Sequence, residues 1–199
     1  MSTENLTPQQ RTAATKKRRT NLWIADAART LFNQHGWHGV TRDQVAEEAG
    51  VGFTTLSKHF PTKRSLAIAA YAPQVIVFMS TAGTALATKA EAEPLLVKFI
   101  QELADYLAAH PAMAIALLPL SRDPRSHGED EEATHVVSFR DLVEFISKLL
   151  VQCSNAHGQD SAAVDDTADF ALSGLLTWIV QHPERSGKDA AVLMLRHLL

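Results

Sequence analysis

The chain reads as an all-α protein of about nine helices, with a three-helix head followed by a helical body, and three observations predict that class. Apolar residues recur at three- and four-residue spacing along the chain, the period of one helical face. No segment shows the apolar–polar alternation of a half-buried strand, and no internal repeat is evident. Hydrophobic residues make up 46% of the 199 positions and charged residues 21%, enough apolar surface for a core and too balanced for a fibrous or disordered chain.

The elements follow in order. Residues 1–19 are polar and end in the basic run Lys16-Lys17-Arg18-Arg19, so they are expected to form a flexible basic arm. Ile24, Ala27, Ala28, Leu31 and Phe32 then mark the inner face of a first helix from Thr20 to Gln34. His35-Gly36 ends it, because glycine tolerates a left-handed backbone past the last turn. Thr41 reads as the N-cap of a second helix, with Gln44 completing a capping box. Val45, Ala46 and Ala49 face inward, Gly50 breaks the helix, and Phe53 to Phe60 forms a third, held by Leu56 and Phe60 and stopped by Pro61. Thr62 caps a longer helix through Leu66, Ala69 and Ala70, expected to bend or break near Pro73.

Pro94 can occupy the first turn of a helix with Leu95, Leu96, Phe99, Ile100, Leu103 and Leu107 inside, ending at His110-Pro111. Met113 to Leu120 is a shorter apolar helix, and Ser121 to Glu132 is a polar loop whose acidic run, Glu129 to Glu132, reads as a solvated helix start. Val136 to Cys153 and Ala163 to Val180 are long helical stretches. After a turn at His182-Pro183 to Gly187, Asp189 to Leu199 is the last.

Charge divides the chain where the helix pattern does. Residues 1–66 hold ten Lys/Arg against five Asp/Glu, whereas the remainder holds nine against seventeen. A basic head on an acidic body points to a polyanion meeting the first third. The longest nearly uninterrupted apolar run, Ala112 to Leu120, is too short to cross a bilayer, and the N-terminus lacks the apolar region of a secretory signal. A single Cys153 excludes an intrachain disulfide, so a cytoplasmic protein without a membrane span is expected.

Residues 42–60 have the layout of a helix-turn-helix. Ala46 and Ala49 allow two short helices to approach closely, and Gly50 lets the backbone turn sharply. The third helix is then free to present Thr54, Thr55, Lys58 and His59, a polar face without carboxylates that suits the major groove of DNA.

At these residues the sequence resembles the tetracycline-repressor (TetR) family of bacterial transcription regulators. The resemblance runs from Ala25 to Leu66, through Leu31-Phe32, Gly36, Val40-Thr41, Val45-Ala46, Ala49-Gly50-Val51, Leu56, His59-Phe60-Pro61, Lys63 and Leu66. It implies a homodimer with a DNA-binding domain over 20–66 and a ligand-binding and dimerisation domain over 67–199. By matching position, Thr41, His59 and Lys63 are candidates for phosphate contacts, which position the head, and Phe53, Thr54, Thr55 and Lys58 for base edges, which specify. The chain departs from the family pattern at Gly52, commonly Ser, at Thr54, commonly Gly, and at Ser57, commonly Tyr. Ser57 can still donate to a phosphate but reaches less far. The run Lys16 to Arg19 adds phosphate contacts, reaches into the minor groove, or only solubilises the arm.

Within the body, the resemblance places a ligand pocket among the middle helices, with Phe78, Phe99, Leu103, Met113, Leu117, Phe139, Phe145 and Trp178 as lining candidates and ordinary core packing as the alternative. Sparse charge on those faces predicts a mostly apolar small-molecule effector. The last two helices are expected to pair across a twofold axis. Ala168, Ala171, Ser173 and Gly174 would permit close approach, and Leu172, Leu175, Leu176, Ile179, Leu193, Leu195 and Leu198 supply apolar area there or fill the subunit's own core.

The expected function is a repressor released from a palindromic double-stranded DNA operator by that effector, without cofactor or metal. The alternative is a helical protein-interaction module with a degenerate DNA-binding head. An enzyme is not expected. His-Glu-x-x-His, Gly-x-Ser-x-Gly and phosphate-loop patterns are absent, His35 and His38 straddle a turn glycine, and Cys153 with His157 is isolated.

Overall fold

The computed structural model describes residues 7–121, 137–155 and 162–199. The predicted polar loop beyond Ser121, its acidic run Glu129–Glu132, and His157 lie outside the described residues. Nine α-helices and one short 3-10 helix make up the described elements, so the all-α class is observed.

Helix α1 (Pro8–Gly39) starts well before the expected Thr20. Thr7 caps it: the Thr7 hydroxyl accepts from the Gln10 N–H at 3.3 Å, the Gln10 side chain accepts from the Thr7 N–H at 2.8 Å, and Pro8 sits in the first turn. Residues 8–19, expected as a flexible arm, are therefore helical. They lack the apolar periodicity on which the sequence reading relied, and all are exposed. Gly36 (φ 66°, ψ −179°) interrupts the helix where its sequence said it would, in a backbone region open to glycine almost alone.

Thr41 and Gln44 form the predicted capping box at the start of α2 (Arg42–Glu48). Gly50 (φ 63°) makes the turn, with the Val51 N–H reaching back to the Ala46 carbonyl at 2.9 Å, before α3 (Phe53–His59). Ile24, Ala28, Phe32, Val40, Val45, Ala46, Leu56 and Phe60 close the head's core. Burying a side chain of Leu or Phe size contributes about 1.5–3 kcal/mol.

From the head, α4 (Lys63–Ala87) runs to the body, capped by Thr62. It continues through Pro73 without the expected break. The proline loses one internal hydrogen bond, but α4 packs on α1 and on two body helices, and that burial outweighs a local cost of about 3 kcal/mol. Among the described residues α4 is also long and apolar enough, by length and composition, to cross a membrane. The run-length reading missed this because Ser, Thr and Gln interrupt its apolar residues. The window is 44% buried inside the protein, against the helices it packs on.

The body comprises α5 (Ala92–Ala109), α6 (Pro111–Leu117), the 3-10 turn Leu118–Ser121, α7 (Phe139–Asn155), α8 (Ala162–Gln181) and α9 (Gly187–Leu198). His110-Pro111 ends α5 and opens α6, as expected. Helix α5 is the hub, packing against α4, α7 and most extensively α9, while α8 packs on α7 and α9.

Candidate nucleic-acid interface

Helix α3 hangs on the head by one buried anchor, Leu56, and turns Phe53, Thr54, Thr55 and Lys58 outward. Its N-cap is Gly52, which supplies no side-chain cap. The rigidity comes from Arg42 at the start of α2, a residue the sequence reading did not single out. Its guanidinium donates to Ser57 Oγ at 2.8 Å and to the Phe60 carbonyl at 3.0 Å, and it lies 5.0 Å from the centre of the Phe53 ring. Arg42 Nε is buried without a hydrogen-bond partner. Ser57 therefore serves the turn as an acceptor, and its hydroxyl proton remains available to a phosphate.

The other candidates are held by their own neighbours. The Thr41 hydroxyl accepts the Gln44 N–H at 3.3 Å and lies 3.1 Å from Gln44 Oε1. Lys63 Nζ sits 4.9 Å from the Trp37 ring centre, and burial lowers its pKa. Phe32 stacks on Trp37 at 5.8 Å, so Lys63 is positioned by the end of α1. His59 Nδ1 pairs with Asn21 Oδ1 on α1, which ties the end of α3 to the first helix. Burial, and then the charge of Lys17, lower the His59 pKa. Lys17 is thus close enough to His59 for its charge to be felt, and the arm's basic run begins beside the exposed end of α3.

Head and body meet in an aromatic cluster. Tyr71 on α4 donates its hydroxyl to Asn33 Oδ1 on α1 at 2.8 Å, and Tyr106 on α5 donates to the Tyr71 carbonyl at 3.1 Å. His110, between α5 and α6, stacks on Tyr71 at 4.7 Å and meets Tyr106 edge-on at 4.5 Å, with its Nδ1 buried and without a hydrogen bond. Burial foremost pushes the Tyr71 phenol up to about 12, so it stays a donor at neutral pH.

Of the pocket candidates, Phe99, Leu103, Met113, Leu117 and Phe139 are buried in the core. Phe145 meets Phe99 edge-on at 4.9 Å, Phe78 meets Tyr106 at 5.7 Å, and Trp178 stacks on His182 at 5.0 Å. On α8, Ala168, Ala171, Leu172, Leu175, Leu176 and Ile179 are buried within the subunit, which leaves Phe170 (75% exposed), Gly174, Val192 and Leu193 on the outer face of α8 and α9.

Residues 24–70 match the family model described as bacterial regulatory proteins, tetR family. The chain is 48% identical over 46 residues to the HTH-type transcriptional regulator RutR of Escherichia coli strain K12, a stretch that covers 23% of this chain and 22% of RutR. Its fold is similar to that of Thermus thermophilus FadR, a TetR-family transcriptional repressor solved with lauroyl-CoA (TM-score 0.67, 21% identity, 89% of this chain and 92% of that one). It is also similar to Bacillus subtilis FadR solved with stearoyl-CoA (TM-score 0.58, 19% identity, 89% and 96%).

Proposed function

We propose, from the match of residues 24–70 to the tetR-family model of bacterial regulatory proteins, that the chain is a dimeric repressor of that family, released from a palindromic operator by a mostly apolar effector. One observation carries the DNA reading. The outer face of α3 presents Thr54, Thr55 and Lys58 without a carboxylate, on a helix whose orientation Arg42 and Asn21 hold from two sides. Thr methyls and Phe53 suit thymine methyls, Lys58 suits guanine acceptors, and Thr41, Ser57, His59 and Lys63 are the phosphate contacts.

The effector reading rests on the apolar side chains at the centre of the body and on two similar folds solved with fatty acyl-CoA. The effector favours a body conformation in which two recognition helices no longer sit about 34–36 Å apart, the spacing of successive major grooves. The path is the Tyr106–Tyr71–Asn33 chain from α5 through α4 to α1.

Selection of bound sequences from a random DNA library tests the first half, and addition of lauroyl-CoA to the selected complex tests the second. A palindrome is expected, with affinity lowered by the acyl-CoA. Recovery of no preferred sequence overturns the operator reading; a palindrome whose affinity ignores lauroyl-CoA overturns acyl-CoA as the effector.

A further inference from the structure

We infer that the N-terminal extension of α1 is a rod that lies along the sugar-phosphate backbone of duplex DNA outside the half-site read by α3. The inference deepens the operator reading and rests on it.

Three observations carry it. First, the extension is a helix, and a helix with its side chains is about 10–12 Å across. The minor groove is about 6 Å wide, so the extension cannot enter it as an extended arm would, and the major groove that does admit a helix is taken within the half-site by α3, which leaves the phosphates as the surface the extension can follow. Residues 8–19 add a rod of about 18 Å, enough to pass beyond the bases that α3 can reach.

Second, the composition of the extension fits a polyanion and little else. Lys16, Lys17, Arg18 and Arg19 wind through one full turn, Arg11 lies further out, and no carboxylate occurs between Glu4 and Asp26. From Gln9 to Arg19 no exposed side chain is an aliphatic larger than alanine or an aromatic, so the rod has no apolar face to bury in a membrane or against a protein. Thr12, Thr15 and Thr20 turn their hydroxyls back to carbonyls of the same helix at 3.0, 2.9 and 3.1 Å, and the Thr7–Gln10 capping box closes its first turn, so these polar groups are satisfied within the rod itself.

Third, the rod is continuous with the recognition surface. Asn21, one turn beyond Lys17 on the same face, pairs with His59 at the end of α3, and the charge of Lys17 is felt at His59. A duplex seated on α3 therefore has Lys17 at its edge and the rest of the rod beyond it.

The test uses the palindrome recovered by library selection, prepared at two lengths: trimmed to the palindrome, and carrying one helical turn of arbitrary sequence on each side. The full-length protein is compared with K16A/K17A/R18A/R19A, in which alanine preserves helix propensity. The unmodified protein should bind the longer duplex about tenfold or more tightly, with a log–log salt slope steeper by about 3–4 units for each of the two rods, about 7 in all. The variant should bind both lengths alike, with unchanged circular dichroism and melting temperature.

Equal binding of both lengths by the unmodified protein overturns the inference. So does a variant that weakens equally on both, since its charges would then act within the half-site or on the fold. If no palindrome is selected, the operator reading fails, and this inference fails with it.

Discussion

Arg42 is half-buried, yet three groups of the head depend on it: Ser57, the Phe60 carbonyl and the Phe53 ring. Where the family commonly carries Tyr, Ser57 is too short to brace the turn alone, and the guanidinium fork reaches it from α2. Arg42→Ala should cost about 1–3 kcal/mol, because it removes charge-assisted hydrogen bonds at a partly buried site. Arg42→Lys should recover little of that loss, since an ammonium lacks the planar fork. Urea unfolding of the three proteins measures both. His59 makes a prediction with two opposite signs. Its neutral ring spends Nδ1–H on Asn21, so Nε2 can donate to a phosphate only after protonation, which burial and Lys17 oppose in the free protein. Operator binding should therefore take up a proton, and affinity should rise as pH falls from about 8 to about 6, with the dependence flattened in His59→Gln. Stability goes the other way. His59 and His110 both have pKa values lowered by burial first, so the unfolded chain binds their protons more readily than the folded one. Their contribution is full above the ordinary histidine value of about 6.5 and is lost as pH falls below it, so the melting temperature should hold from about pH 8 to about 6.5 while operator affinity already rises, and should drop only below that.

Among the elements, α9 docks on α5 through a backbone approach that one glycine permits. A Cβ at Gly187 would lie 2.5 Å from the Ala104 carbonyl oxygen and closer still to Asp105 Cα, and neither atom can move aside without moving α5. Gly187→Ala should thus destabilise the protein by about 1–3 kcal/mol, although alanine is the better helix former, and a lowered melting temperature would show it. This glycine also marks where the sequence stops being legible. Gly36, Gly50, Thr41 and Thr62 were readable because a cap or a turn is written in adjacent residues. The start of α1 was equally local, in Thr7-Pro8-Gln10, but apolar spacing was the signal sought and that stretch has none. At Pro73 the helix does not break, because burial against three other helices overrides the local rule. The reason for Gly187 lies in α5 and that for Arg42 in α3, contacts that no spacing within one helix encodes. The polar face of α3 followed directly from periodicity, and its brace did not.

For the molecule as a whole, the proposed operator reading requires two heads at fixed separation, and on that reading the assembly has to come from a surface that the subunit leaves uncovered. The leucines of α8 that offered the most apolar area are spent on the subunit's own core. What remains outside is Phe170, 75% exposed, one turn before Gly174, whose missing side chain leaves open space, together with Val192 and Leu193 on α9. A phenylalanine this exposed contributes strongly when buried, so under the proposed dimer reading it is the expected centre of a twofold contact in which α8 and α9 meet their copies. Asp166 and Asp169 flank it on α8, so a carboxylate placed at 170 would face repulsion from its own helix as well as from the partner. Phe170→Glu should convert a dimer into a monomer in sedimentation equilibrium while leaving the melting of each subunit nearly unchanged, since three quarters of the residue is exposed in the subunit. Operator affinity should then fall by about a hundredfold or more, because each head is left to bind its half-site alone. A variant that stays dimeric would move the interface to the exposed Ile76 and Val77 of α4 or to Leu22 and Trp23 of α1, and the half-site spacing recovered by selection would have to be explained from there.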